Sequence, residues 1–323
     1  MKRRAALHAI AIGIVWAAWP SASAGATARV GFLSSGHGFS ALSEAFRGGL
    51  KEVGYVEGTT VIVEWRFTGG RPDRLRAAAR ELIDLRVDVI VAASLAATHA
   101  AREETRRTPI VMAAGGDPIR AGVVASLARP GGNVTGLVAW SPEVSRNRLR
   151  TTKELVPSAN RLALVWNLSA ADKDDDVATS RAEATALGLQ VDLVGVRTAQ
   201  ELPGAVADAA QRRVGALIVL NDALMIVQAG RIADLAAAHG LPVIHDVPEL
   251  AHAGALAGYG PSVADLFRRA AAVVRRIVDG ADPATLPVEP ATRFDLVVNL
   301  ATAQRLGLVI PPALLDRASR VIR

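Results

Sequence analysis

The sequence predicts an α/β protein of two doubly wound, Rossmann-like lobes joined by a hinge. Short, nearly unbroken apolar runs with a β-branched bias recur along it, such as Val87-Asp88-Val89-Ile90-Val91-Ala92 and Ile110-Val111-Met112-Ala113. Runs this short and apolar read as strands covered on both faces, the habit of parallel sheets. Helix-length segments alternate with them, which is the pattern of βα repetition. The rhythm then begins again after residue 140 with a second series of similar size, so the 323 residues divide into two halves.

The amino terminus stands apart from this rhythm. Met1-Lys2-Arg3-Arg4 is a basic start, Ala5 to Ala18 is apolar, Trp19-Pro20-Ser21 breaks the run, and Ala22-Ser23-Ala24 fits the small-x-small cleavage rule. The apolar run is too short to span a bilayer comfortably. A cleaved Sec-type signal ending near Ala24 is expected, which places the mature chain outside the cytoplasm.

Arg29 to Leu33 then reads as a strand ending in Ser34-Ser35-Gly36-His37-Gly38. Ser40 opens a helix over Ala41–Val53 that stops at Gly54. Thr60 to Phe67 alternates as a strand should, and Gly69-Gly70-Arg71-Pro72-Asp73 turns into a helix ending near Leu85. The two apolar runs follow, with a helix from Leu95 to Thr105 between them. A short helix over Ala121–Ala128, a sharp turn at Arg129-Pro130-Gly131-Gly132 and a strand over Asn133–Val138 complete the first series.

A crossing is expected at Ala139-Trp140-Ser141-Pro142, followed by a helix over Glu143–Leu155. The second series has strands at Arg161–Trp166, Leu189–Val194, Ala216–Leu220 and Pro242–Ile244. Its helices cover Asp174–Leu187, Ala199–Arg212 and Ile226–His239, with Gly188 and Gly240 where C-caps belong. The chain then returns through Ala255–Tyr259 and a long helix, Ser262–Val278, crosses again near Arg293–Val298 and closes with Pro311–Val321. The expected division is a signal at 1–24, a first lobe at 25–139 with 255–290 returning to it, and a second lobe at 140–254 with 291–323 partly returning. Three crossings make a hinge rather than a tether.

Composition removes several function classes. Half of the chain is apolar and 4% is aromatic, which is ample for a globular core. The absence of cysteine excludes disulfides, thiolate metal sites, a cysteine nucleophile and a lipid anchor on a mature Cys. Loss of Lys2, Arg3 and Arg4 takes the formal charge from +6 to +3. The remaining arginines are scattered among acids, so no nucleic-acid surface is expected.

The nearest approach to a nucleophile elbow, Leu33-Ser34-Ser35-Gly36, lacks the first glycine. Asp222 and His245 fall at strand ends but not in the usual triad order. The dinucleotide and phosphate-loop fingerprints are missing. His245, Asp246, Glu249 and His252 cluster within eight residues, yet six histidines and no cysteine make a poor zinc inventory. No cofactor is expected.

What remains is a set of small polar groups at strand carboxyl ends, where open parallel sheets bind their ligands. In the first lobe these are Ser34, Ser35, Ser94, Gly116 and Asp117; in the second, Asn167, Asn221, Asp222 and Asp246. Serine and glycine turns offer amide N–H groups and helix N-termini that suit a carboxylate, and the acids opposite suit an ammonium. Trp140 at the crossing and Trp166 at a strand end add apolar surface, with core packing as the plain alternative for each, more so for Trp166. Polar groups from both lobes at one mouth, with no reactive centre, describe a clamshell that binds a solute.

Several stretches also carry a family likeness. They are Leu50-Lys51-Glu52-Val53-Gly54-Tyr55-Val56-Glu57-Gly58, Gly70-Arg71-Pro72-Asp73-Arg74-Leu75, Gly116-Asp117-Pro118, the run from Leu127-Ala128-Arg129-Pro130-Gly131-Gly132-Asn133 through Val134-Thr135-Gly136-Leu137, Tyr259-Gly260-Pro261-Ser262 and Asn299-Leu300-x-Thr302-Ala303. On these the chain resembles the periplasmic solute-binding proteins of ABC transporters, in the family that includes tryptophan- and tyrosine-linked uptake proteins. The resemblance covers essentially the whole mature chain.

It implies the type I periplasmic-binding fold, no enzymatic activity, and partnership with a permease and an ATPase in the inner membrane. Relatives of this fold that bind amino acids hold the carboxylate with a serine and backbone amides at two strand ends of the first lobe, here Ser94 and Gly115-Gly116-Asp117. Their second lobe supplies an acid or an aromatic for the ammonium, a role that would fall to Asp222 or Asp246. Two departures stand out: Ser34 to Gly38 holds no aromatic before Phe39, and Asp172-Lys173-Asp174-Asp175-Asp176 is acidic where the second-lobe rim should be. The expectation is a monomeric, periplasmic solute-binding subunit of an ABC importer for a small polar organic solute, an amino acid among the options. The rival expectations are a secreted α/β hydrolase and a ligand-sensing module for a membrane receptor.

Overall fold

The computed structural model describes residues 27–139, 142–170 and 173–323; the signal segment and Trp140 lie outside the described residues. The first series builds β1 (Ala28–Ser34), α1 (Ala41–Glu52), β2 (Val61–Phe67), α2 (Leu75–Asp84), β3 (Val89–Ala92), α3 (Leu95–Glu104), β4 (Ile110–Gly115) and β5 (Val134–Val138). β1 to β5 pair in parallel. β3 is buried along its whole length, because the long helix Val263–Val278 together with α1 covers one face of the sheet and α2 and α3 cover the other. That double cover is why the strands read as plain apolar runs.

One expected helix does not form. Residues 121–128 are turns. The Asp117 carboxylate accepts the amides of Ile119 and Arg120, and Gly122 leaves the right-handed region at φ +65°. The chain therefore makes one turn and cannot propagate a helix.

The second series contains α4 (Pro142–Leu155), β6 (Arg161–Asn167), α5 (Asp174–Ala186), β7 (Gln190–Val196), α6 (Leu202–Gln211), β8 (Ala216–Val219), α7 (Ala223–Val227), α8 (Ala229–Ala237) and β9 (Val243–His245). The expected single helix over Ile226–His239 starts earlier and is interrupted at Gln228. The remainder is β10 (Ala257–Pro261), α9 (Val263–Val278), β11 (Glu289–Pro290), β12 (Phe294–Asn299), α10 (Leu300–Arg305), α11 (Pro312–Arg317) and β13 (Arg320–Ile322). The first sheet runs β11-β5-β4-β3-β1-β2 and the second β13-β12-β10-β9-β8-β6-β7.

This order moves the expected return of the chain to the first lobe. β10 does not go back at residue 255; it pairs in parallel with β9 and antiparallel with β12 in the second sheet. The reason is steric. Gly258 and Gly260 let β10 press against the loop after β9, where a Cβ on residue 260 would lie 2.0 Å from the Asp246 carbonyl oxygen. Tyr259 packs into the second core, stacked on Phe294.

The chain returns at Ser262 instead, with α9 and β11. α9 buries Leu266, Phe267, Ala270, Ala271 and Val274 along one stripe. It lies tight on α1 because Gly49 has no side chain; a Cβ there would meet the Arg268 carbonyl at 2.0 Å. The crossing segments are tied to one another: the Ser262 amide donates to Arg293 O and the Ala291 amide to Val138 O, each at 2.9 Å.

Candidate ligand-binding site

In the first lobe the carboxyl ends of β1, β2 and β3 surround a cavity of about 100 Å³. Ser34, Ser35 and Ser94 line it from above, and the rings of Phe32, Phe67 and Phe267 form its floor. The loop after β1 is held by backbone bonds from the turn after β2: Thr68 N to Ser34 O at 3.0 Å, Gly69 N to Gly36 O at 2.9 Å and Gly70 N to Ser35 O at 2.7 Å. Gly69 and Gly70 both have positive φ, which is what lets two successive amides turn toward the loop. Ser34 Oγ accepts the Gly36 amide at 3.1 Å. Ser94 caps α3, its Oγ accepting the Ala97 amide at 3.2 Å, so the positive end of that helix faces the cavity.

Gly116 and Asp117, half-buried beyond β4, do not line this cavity. Asp117 organises its own turn, and the neighbouring Arg120 reaches across the mouth to Asp174 at the start of α5, 3.2 Å away.

The second lobe presents two coupled pairs. Asn167 Nδ2 donates to Asp222 Oδ2, while Asp222 Oδ1 accepts the Met225 amide at 2.8 Å and caps α7. Asn221 donates its backbone amide and its Nδ2 to Asp246 Oδ2, at 2.9 and 3.0 Å, and its Oδ1 accepts from Lys173 Nζ. Asp246 Oδ1 lies 3.2 Å from His245 Nδ1. Burial alone would raise the Asp246 pKa, but the His245 hydrogen bond and charge, with the charges of Lys173 and Arg148, hold it at about 2.

The acidic run at the start of α5 is not all solvated rim. Asp176 turns inward, pairing with the buried Arg148 at 2.9 Å and accepting Ser145 Oγ at 2.5 Å. Trp166 belongs to the second core. Among the described residues, no group of three or more His, Asp or Glu side chains stands close enough to hold a metal ion, and His245, Asp246, Glu249 and His252 are no exception.

The structure thus brings Ser34, Ser35 and Ser94 together in one lobe, and pairs Asn167 with Asp222 and Asn221 with Asp246 in the other. Sequence reasoning missed the ring floor, Arg120 and Lys173. The alternation of Trp65 and Phe67 on one face of β2 was the available signal for the floor.

Two α/β lobes whose strand ends share a mouth, joined by tied crossings, define a clamshell solute-binding protein. The comparisons agree. Residues 29–322 match the family model for "ABC transporter substrate binding protein", and the chain belongs to that family. It is therefore a solute-binding subunit of an ABC transporter, working with a permease and an ATPase, in a family that acts outside the cytoplasm. No helix among the described residues is long and apolar enough to cross a membrane.

A tyrosine-binding protein of Clostridioides difficile (strain R20291) is 25% identical over 260 residues, 80% of this chain and 74% of that one. The ABC domain from Streptococcus pneumonia in complex with L-Trp has a TM-score of 0.79 at 25% identity, over 92% of this chain and 100% of that one. The ligand-free, open structure of a substrate-binding protein with adhesive properties from Clostridium difficile has a TM-score of 0.78 at 23% identity, over 91% and 99%; it bears on the fold alone.

Proposed function

We propose that the protein is a monomeric, non-enzymatic periplasmic receptor that captures an amino acid between its lobes and presents it to the permease. The observation that supports this is the cavity of Ser34, Ser35 and Ser94 at the N-terminus of α3, together with the polar pair Asn167 and Asp222 at strand ends of the second lobe. A hydroxyl that accepts a helix amide still has its hydrogen to give, so Ser94 suits an α-carboxylate, and the helix end adds its partial charge. Asp222 suits the ammonium. Asp246 is spent inward and serves to hold Asn221. The L-Trp and tyrosine of the relatives' names point to the same solute class.

The test is calorimetry on protein purified from the periplasmic fraction, unfolded and refolded to strip any carried solute. It is titrated with amino acids, small carboxylates, sugars and nucleosides. One amino acid should bind and be recovered unchanged, raising the unfolding free energy by about 2.7 kcal/mol at about 100 times its dissociation constant. Binding of a sugar or nucleoside with no response to any amino acid overturns the reading.

A further inference from the structure

We propose that Arg148 is a positioning residue for closure of the clamshell: buried against Asp176, it sets the first turn of α5 so that Asp174 meets Arg120 of the opposite lobe. The inference holds whichever solute is captured.

Arg148 is the largest fully buried side chain among the described residues, 1% exposed, and Asp176 is 6% exposed. The Arg148 guanidinium donates to Asp176 Oδ1 at 2.9 Å, and that same oxygen accepts Ser145 Oγ at 2.5 Å and Ser180 Oγ at 3.3 Å. Ser145 and Arg148 stand one turn apart on α4, the first helix after the crossing. A single carboxylate thus fixes α5 to one face of that helix.

Stability does not account for the pair. Taking two charges out of water is costly, and apolar side chains of similar volume commonly serve a fold as well or better. Here the return is also incomplete, because Arg148 Nε is buried without a partner. What the pair does supply is an orientation.

α5 begins without a side-chain cap from its N-terminal flanking residue, Lys173, so tertiary contacts decide how its first turn sits. Residues two apart on a helix point about 200° apart. With Asp176 drawn inward to α4, Asp174 faces outward, exposed, and meets Arg120 of the first lobe at 3.2 Å. Beside it, Lys173 Nζ reaches Asn221 Oδ1 at 3.5 Å. One turn therefore joins the helix after the crossing, the mouth of the second lobe and the opposite lobe. An exposed ion pair is weak partly because both side chains must be ordered to form it. Mounting one partner on a turn fixed from behind reduces that cost.

The absence of cysteine makes the test direct. His37→Cys and Val227→Cys, at exposed positions after β1 and at the end of α7, carry one spin label on each lobe. Electron–electron double resonance then reads the distance between the lobes of the mature protein at low and high ionic strength. High salt screens the Arg120–Asp174 contact, so the labelled parent should shift toward longer distances, its open-to-closed ratio changing by up to about fivefold. Asp174→Asn should abolish that response. Arg148→Met combined with Asp176→Leu should abolish it too, although Arg120 and Asp174 are intact, while the thermal midpoint stays at or above the parent's. Asp176→Asn, which keeps the side chain's shape, should shrink the response and carries the same test if the double variant does not fold. A parent without a salt response, or a full response in either altered pair, overturns the inference and leaves amino-acid capture untouched.

Discussion

A carboxylate with only 6% of its surface exposed persists in a fold only when its oxygens are satisfied, and Asp246 is satisfied from two sides by Asn221 and His245. Its folded pKa, about 2, lies below the ordinary carboxylate value. Its contribution is therefore full above about pH 4 and is lost as pH falls toward 2. Asp246→Asn should cost about 2 kcal/mol at neutral pH, the scale of hydrogen bonds to a charged group. It should also lose less stability than the parent between pH 4 and 2; unfolding scans of both proteins across that range check each part. The position of Asp246 at a strand end is visible from the apolar run before it. That it points inward to Asn221 is not, because side-chain direction past the last strand residue depends on which loop packs there. The same holds for Asp117, whose own turn claims the carboxylate.

Among the elements, Arg129 to Gly136, part of one of the stretches that carry the family resemblance, is tied into the scaffold. Gly131 donates its amide to Ala284 O at 3.0 Å. Asn133 ties down the carbonyls of Thr105 and Thr108, and Thr135 Oγ1 donates to Leu286 O at 2.8 Å. Gly136, at φ +129°, passes so close to β4 that a Cβ would lie 2.2 Å from Met112 O. Gly136→Ala should therefore destabilise the protein by about 3 kcal/mol, through strain and overpacking together. In urea the midpoint should fall with an unchanged slope. Periodicity located most strands and helices of both series, since covered strands and amphipathic helices write their burial into the chain. It misplaced β10, because the choice of neighbouring strand is a long-range matter decided here by Gly258 and Gly260. It misjudged 121–128 because Ala-rich composition outweighed the left-handed Gly122.

At the scale of the whole molecule, the Arg120–Asp174 pair spans the mouth between the lobes. Both side chains are well exposed, so the contact is worth up to about 1 kcal/mol and is screened by salt. Arg120→Gln should speed solute release by up to about fivefold at low ionic strength and leave it nearly unchanged at high salt. Stopped-flow measurements at the two ionic strengths test this. At the other side of the cleft, the segments that link the lobes lie edge to edge, stitched by the Ser262 and Ala291 amides. A strip fastened in this way folds along one line and resists sliding or twisting. On such a hinge, solute capture is expected to be read out as a single angle between the lobes, a two-valued signal of empty or full.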